Sequence, residues 1–358
     1  MFLDINFEAN WPLGWQLFIY VIALAIGVFC LVKFCNIFVD SASSIAKKFK
    51  ISPMIIGLTV VAMGTSCPEL AVSSADSISA LMNGGNANVA MGNVVGSNIC
   101  NILLVLGFSI IFTPIIVKRE TMKRDFPVLL GASALLVFFG LLFSFNGQYA
   151  ILRWEGIIYV VFMIAYLTYL VIDAKKHPQE DDNDEIKEYK TWLAIILVIV
   201  GAAGIAFGGE AVVFGAKGLA LKAAVAAGAD EDKVELVLGL TLVAVGTSLP
   251  ELVTSVIAAK KGQSDMALGN VIGSNIFNIM FVLGISSTIN PIVTGDEIVI
   301  DLIVMMSVTI LLFGIALVTM LKNKEEGTGK LGRFAGIIFI SLYAAYLAYL
   351  VIRAFVLK

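Results

Sequence analysis

The sequence predicts an all-α membrane protein of ten transmembrane helices arranged as two inverted five-helix repeats. Three observations carry that expectation. Of the 358 residues, 59% are hydrophobic and only 14% are charged, against roughly 25% charged in soluble domains. Ten apolar stretches are each long enough to cross a bilayer, which takes roughly 20 residues. Two strings of residues also recur, in the same order, in each half of the chain.

The apolar stretches run over about 14–38, 53–81, 87–113, 126–145, 150–172, 191–220, 234–259, 266–290, 298–321 and 333–355. The mean hydropathy of +0.94 is spread over the whole length, so a soluble domain with a single anchor is excluded. The longest polar stretch, 173–190, divides the ten into a first repeat over 1–172 and a second over 191–358. Alternate loops hold 17 of the 24 basic residues, including Lys47, Arg119, Lys175, Lys260, Lys261 and Lys330. Basic loops stay in the cytoplasm. The linker is therefore expected inside, both termini outside, and the chain in the cell membrane as a multi-pass protein. Residues 1–13 are acidic, and the apolar run after them is too long for a signal core, so no cleavable signal is expected.

A net charge of −3 gives no reason to expect a nucleic-acid partner. Cys30, Cys35, Cys67 and Cys100 all fall in apolar stretches without metal-ligand spacing, and read as small core residues. The single histidine, His177, lies in the charged linker and reads as solvated.

The repeat is close to letter for letter. Gly57–Ser73 reads GLTVVAMGTSCPELAVS and Gly239–Ser255 reads GLTLVAVGTSLPELVTS. Ala90–Ile102 reads AMGNVVGSNICNI and Ala267–Ile279 reads ALGNVIGSNIFNI. Each pair occupies the second and third spans of its half. Five spans separate the copies, so the second threads the membrane in the opposite direction. Inverted repeats place a substrate site near the midplane, where interrupted helices of the two halves meet.

Glu69 and Glu251 fall midway through their apolar stretches, where an ionised carboxylate is expensive unless it faces a cavity or a counter-ion. A structural, hydrogen-bonded carboxyl is the plainer alternative, but both halves place Glu in the same polar string. Pro68 and Pro250 exclude a regular helical turn and free carbonyls upstream. Freed carbonyls at membrane depth are tolerated where they line a cavity. Thr65 and Ser66 stand four and three residues before Glu69, hence on roughly one helix face with it; Thr247 and Ser248 repeat this before Glu251. Carboxylates, hydroxyls and carbonyls form an all-oxygen set suited to a hard cation such as calcium or sodium. The second strings add Ser97, Asn98 and Asn101, then Ser274, Asn275 and Asn278. Their glycines, Gly92, Gly96, Gly269 and Gly273, suit close helix packing.

At these residues the sequence resembles the sodium/calcium exchanger family within the cation/calcium antiporters. The resemblance covers essentially the whole chain, and the proton-coupled relatives differ at the first string, with Asn in place of Thr-Ser. It implies the exchanger fold and alternating-access exchange of Na⁺ for Ca²⁺, with clustered sites shared by one calcium or several sodium ions. Calcium would be held by Glu69 and Glu251 with Thr65 and Thr247. Sodium would add Ser66, Ser248, Ser97, Ser274 and the carbonyls of Ala62 and Ala244, with Asn101 and Asn278 lining the middle. Potassium-dependent members carry Asp where Asn278 stands, so the fixed charge here is two rather than three. Two carboxylates neutralise one Ca²⁺, whereas three Na⁺ leave one positive charge over, and exchange would then be electrogenic. The ions are cargo; no cofactor, enzymatic activity or obligate protein partner is expected, only lipid, and a monomer suffices.

The first span of each half, rich in small residues, is the expected mover. Glu210 within the sixth span reads as a gate or a structural partner, and Asp76, matched by Ala258, as a solvated residue near the outer mouth. The linker's seven acidic residues lack EF-hand spacing and read as solvated. Proton-coupled calcium export, with Glu69 and Glu251 as proton acceptors, is the alternative transport reading. A channel is disfavoured by the inverted repeats, and an intramembrane hydrolase by the redundant hydroxyls and amides around the carboxylates.

Overall fold

In the computed structural model, described over residues 11–83, 87, 89–142, 144–145, 148–178, 187–226, 245–295, 298–323 and 327–356, long helices dominate. They are α1 (Leu13–Phe49), α2 (Pro53–Thr65), α3 (Cys67–Asn83), α4 (Val89–Phe112), α5 (Arg119–Leu142), α6 (Arg153–Lys176) and α7 (Thr191–Ala226). After them come α8 (Leu249–Lys260), α9 (Ser264–Ile289), α10 (Ile298–Lys322) and α11 (Arg333–Val356). Among the described residues, eight helices are long and apolar enough to span a membrane, or nine if α2 and α3, bent by 48°, form one broken span. The expected span 234–259 lies partly outside the described residues. The protein is a multi-pass membrane protein.

α1 runs well past the expected boundary at 38. Ser41 and Ser43 bond back to the carbonyls of Ile37 and Val39, each at 2.7 Å, so these polar residues continue the helix. Asp40 on the same stretch is held by Lys261 and Lys187. The helix stops at Lys50, which takes the left-handed conformation (φ 54°) and bonds the carbonyls of Ala46 and Lys47. α2 starts where Ser52 caps Ile55 N–H at 3.2 Å and Pro53 fills the first position.

α1 and α7 pack against each other through glycines. A Cβ at Gly27 would lie 2.7 Å from Val212 N, and one at Gly208 would lie 2.8 Å from Leu31 N. α2 and α9 cross as closely: a Cβ on Gly269 would meet Met54 O at 2.6 Å, and one on Gly273 would meet Leu58 Cα at 2.7 Å. Close backbone approach is how helices associate in lipid. Gly92 does not share this role, since among the described residues nothing lies within 4 Å of a Cβ there.

Short strands stitch the two halves together. β1 (Ile115–Val117), after α4, pairs antiparallel with β5 (Gly329–Leu331), before α11. β3 (Gln148–Ile151), before α6, pairs with β4 (Ile292–Thr294), after α9, and β2 (Ser144–Phe145) joins β3. The halves thus exchange the same two roles at the two clips.

Two ionic clusters sit at other helix ends. Tyr166 donates to Asp125 at 3.2 Å beside Arg124, which also holds Asp173. Tyr346 donates to Asp301 at 3.1 Å beside Arg353 at 2.9 Å. Asp76, expected as a solvated residue near the outer mouth, is half-buried and accepts the Val89 and Ala90 N–H groups at 3.0 and 3.3 Å, and so caps α4. His177, in the linker, meets Asp173 at 3.0 Å. Cys35 and Cys100 are buried as expected, whereas Cys67 is exposed.

Candidate cation site

Each half contributes a break in its helical backbone just before a glutamate, and a helix packed beside it. In the first half the break falls at Ser66, with φ/ψ of −89°/10°, between α2 and α3. In the second it falls at Ser248, with −89°/2°, just before α8. Pro68 and Pro250 then stand at the second position of the new helix, where a missing N–H costs little. Glu69 and Glu251 follow in the first turn, where the positive end of the helix favours a carboxylate.

The two carboxylates are fully buried, as are Ser66, Ser97, Ser274, Asn101 and Asn278. Thr65 and Ser248 are buried and Thr247 half-buried. Ser66 Oγ donates to Glu251 Oε1 at 2.8 Å, from one half to the other. Ser274 Oγ reaches the same oxygen at 3.5 Å. Ser97 Oγ donates to Glu69 Oε1 at 3.4 Å and lies 3.3 Å from Thr247 Oγ1. A serine hydroxyl has one proton, so with Ser97 donating to Glu69 it is Thr247 that donates to Ser97.

Among the described residues, Glu69 Oε2, Glu251 Oε2, Ser248 Oγ and the side-chain amides of Asn101 and Asn278 are buried without a hydrogen-bond partner. Each such group costs about 1–3 kcal/mol when left unsatisfied. Their concentration beside two carboxylates makes this cluster the candidate cation site. Among the described residues no group of three or more His, Cys, Asp or Glu side chains forms, so the cluster's fixed charge comes from two carboxylates.

The structure brings Thr65, Ser66 and Ser274 to Glu251 and Ser97 and Thr247 to Glu69, but not in the same-helix groupings that spacing suggests. Ser66 serves Glu251 rather than Glu69, because the helix is broken at Ser66 and the i to i+3 relation does not survive the break. Thr65 lies 3.2 Å from Asn270 Oδ1 and 3.4 Å from the Ala62 carbonyl, which also accepts Ser66 N–H at 3.0 Å. Ala244 lies outside the described residues. Asn98 donates to Met305 Sδ at 3.9 Å, away from the carboxylates.

Sequence reasoning missed Asn93 and Asn270. The Asn270 amide donates to Ser255 Oγ at 2.8 Å and to the Glu251 carbonyl at 3.5 Å. Asn93 does the same for Ser73 at 2.9 Å and the Glu69 carbonyl at 3.3 Å. The signal was available: both asparagines and both serines belong to the repeated strings. π-helical segments also begin at the matched asparagines, over Asn101–Val105 and Asn278–Leu283. Such segments are frequent at functional sites.

The model of the family described as sodium/calcium exchanger protein matches residues 19–172 and 193–352. This chain belongs to the sodium/calcium exchanger family. Members of the sodium/calcium exchanger family are transporters, not enzymes. The sodium/calcium exchanger MaX1 of Methanosarcina acetivorans is 35% identical over 369 residues, 91% of this chain and 97% of the relative. CaxA of Alkalimonas amylolytica is 39% identical over 278 residues, 75% of this chain and 81% of the relative. A solved structure of the sodium-calcium exchanger NCX_Mj, soaked with Na⁺ and Sr²⁺, superimposes with a TM-score of 0.74 at 32% identity. The match covers 93% of this chain and 98% of that one, so the exchanger family's fold extends over nearly all of it.

Proposed function

We propose that this protein exchanges Na⁺ for Ca²⁺ across the cell membrane by alternating access. The observation that carries the reading is the pairing of Glu69 and Glu251, buried together with one unbonded oxygen each and surrounded by hydroxyls from both halves. Calcium is held by the two carboxylates with Thr65 and Thr247. Sodium spreads over the same carboxylates and Ser66, Ser248, Ser97 and Ser274, with Asn101 and Asn278 between them. Because both ions need Glu69 and Glu251, they compete rather than bind together, and competition at one reorienting site is what produces exchange.

The architecture that fits is ten spans, with a first repeat over 1–172, a cytoplasmic linker over 173–190 and an inverted second repeat over 191–358, both termini outside. Three features support it: the matched breaks at Ser66 and Ser248, the matched π-helical segments, and the reciprocal strand clips. Three Na⁺ against one Ca²⁺ would move one net charge per cycle. Carbonyls of Ala62 and Ala244 complete the sodium ligands; the 3.4 Å bond from Thr65 to Ala62 is the long, weak one that an ion would replace.

The test is uptake of ⁴⁵Ca²⁺ into proteoliposomes under separately imposed Na⁺, K⁺ and H⁺ gradients. A sodium gradient alone should drive uptake. Uptake driven only by a pH gradient would establish proton coupling in its place.

A further inference from the structure

α1, α4 and α8 leave an apolar crevice of about 490 Å³ between them. Val32, Phe108, Leu252 and Val256 line its length, and Lys260 and Lys261 stand at one end. From Leu252 to Lys260 the helix rises about 12 Å, which matches the upper part of an acyl chain. Lys261 is already engaged, by Asp40 and by the Asn36 carbonyl at 3.3 Å. Lys260 is exposed, with its ammonium 4.2 Å from the centre of the Phe112 ring, and among the described residues no carboxylate pairs with it. A cation poised over an aromatic face at the head of an apolar slot lacks only an anion.

The fold's internal repetition supplies a control. At the positions matching Lys260 and Lys261 in the first half stand Ile78 and Ser79, and those matching Phe108 and Phe112 are Ile285 and Ile289. The charged end and its aromatic platform are therefore built once, not inherited from the repeat. They lie on the side where the basic loops cluster. Anionic headgroups are recognised by basic pockets between helices on that side.

We infer that this crevice binds one anionic phospholipid, its phosphate on Lys260 against Phe112 and one acyl chain along Leu252 and Val256. The site goes beyond the exchange reading and does not depend on which ions move. Native mass spectrometry of the purified full-length chain, offered phosphatidylglycerol and phosphatidylcholine in equal amounts, tests it. The chain should retain one phosphatidylglycerol in preference to phosphatidylcholine. Lys260→Gln should retain it about fivefold less, the weight of one lysine at a lipid surface. Val256→Trp, which fills the slot and keeps both lysines, should also lose it, while Lys330→Gln should not. Soluble glycerol phosphate should fail to displace the lipid. Equal retention of the two lipids, unchanged retention by Lys260→Gln, or displacement by glycerol phosphate would each overturn the assignment.

Discussion

The Ser66 hydroxyl is bonded to the Glu251 carboxylate at 2.8 Å, whereas among the described residues its counterpart Ser248 is bonded to no carboxylate. Two residues that the sequence presents as equivalent are thus in different states. Without ions, removing Ser66 costs a charge-assisted hydrogen bond and removing Ser248 costs none. Ser66→Ala should lower the melting temperature of the ion-free protein, by the equivalent of about 1.5–3 kcal/mol, while Ser248→Ala leaves it unchanged or raises it. Thermal unfolding in detergent without Na⁺ or Ca²⁺ measures both.

The carboxylates themselves should be indispensable to transport and dispensable to folding. Glu69→Gln and Glu251→Gln each keep the side chain's shape and remove half of the cluster's fixed charge. Both variants should purify as stable protein and show ⁴⁵Ca²⁺ uptake at the level of empty liposomes. Retention of sodium-driven uptake by either would remove the basis for a shared site.

Asn93 and Asn270 act by positioning. Each holds the main chain at a glutamate and the serine one turn later. Asn270→Ala should weaken Ca²⁺ competition for sodium-dependent flux by about tenfold, the worth of one to two hydrogen bonds. Asn270→Asp, which keeps the acceptor but not the donor, should not rescue it.

On the proposed exchange of three Na⁺ for one Ca²⁺, one net charge moves per cycle. At about 2.3 kcal/mol per charge per 100 mV, a diffusion potential of that size should change the sodium-driven Ca²⁺ gradient by some 50-fold at equilibrium. A steady-state gradient indifferent to potassium and valinomycin would mean electroneutral exchange.

The glycine contact between α1 and α7 gives a stability prediction with an internal control. Gly208→Leu forces side-chain atoms into a space where even a Cβ would lie 2.8 Å from Leu31 N, and should cost about 1–3 kcal/mol or more. Gly131→Leu, where nothing lies within 4 Å, should be neutral. Denaturant-dependent unfolding of the two variants side by side checks this.

Much of this molecule was legible before its structure. Spans stand out because lipid demands long apolar runs, and the candidate site because polar letters repeat inside four of them. The end of α1 was not legible, since serines that look like loop residues bond back to their own helix and Asp40 finds cations far away in sequence. The strands of two to four residues carry no pattern of their own; their partners lie in the other half. The pairing of Ser66 with Glu251 was hidden for a similar reason. Helical spacing reports neighbours on one helix, and the deciding neighbour came from another.

The reciprocal clips carry a consequence for how such a chain can be built. β1 finds its partner only in the second half, and β4 finds its own only in the first. On the proposed topology, a five-helix segment made alone would reach the bilayer with an unclosed edge and one glutamate. It would be completed only by a companion inserted upside down. Joining both in one polypeptide fixes that companionship at one to one and leaves each side of the cluster free to differ, as the bonding of Ser66 and Ser248 does.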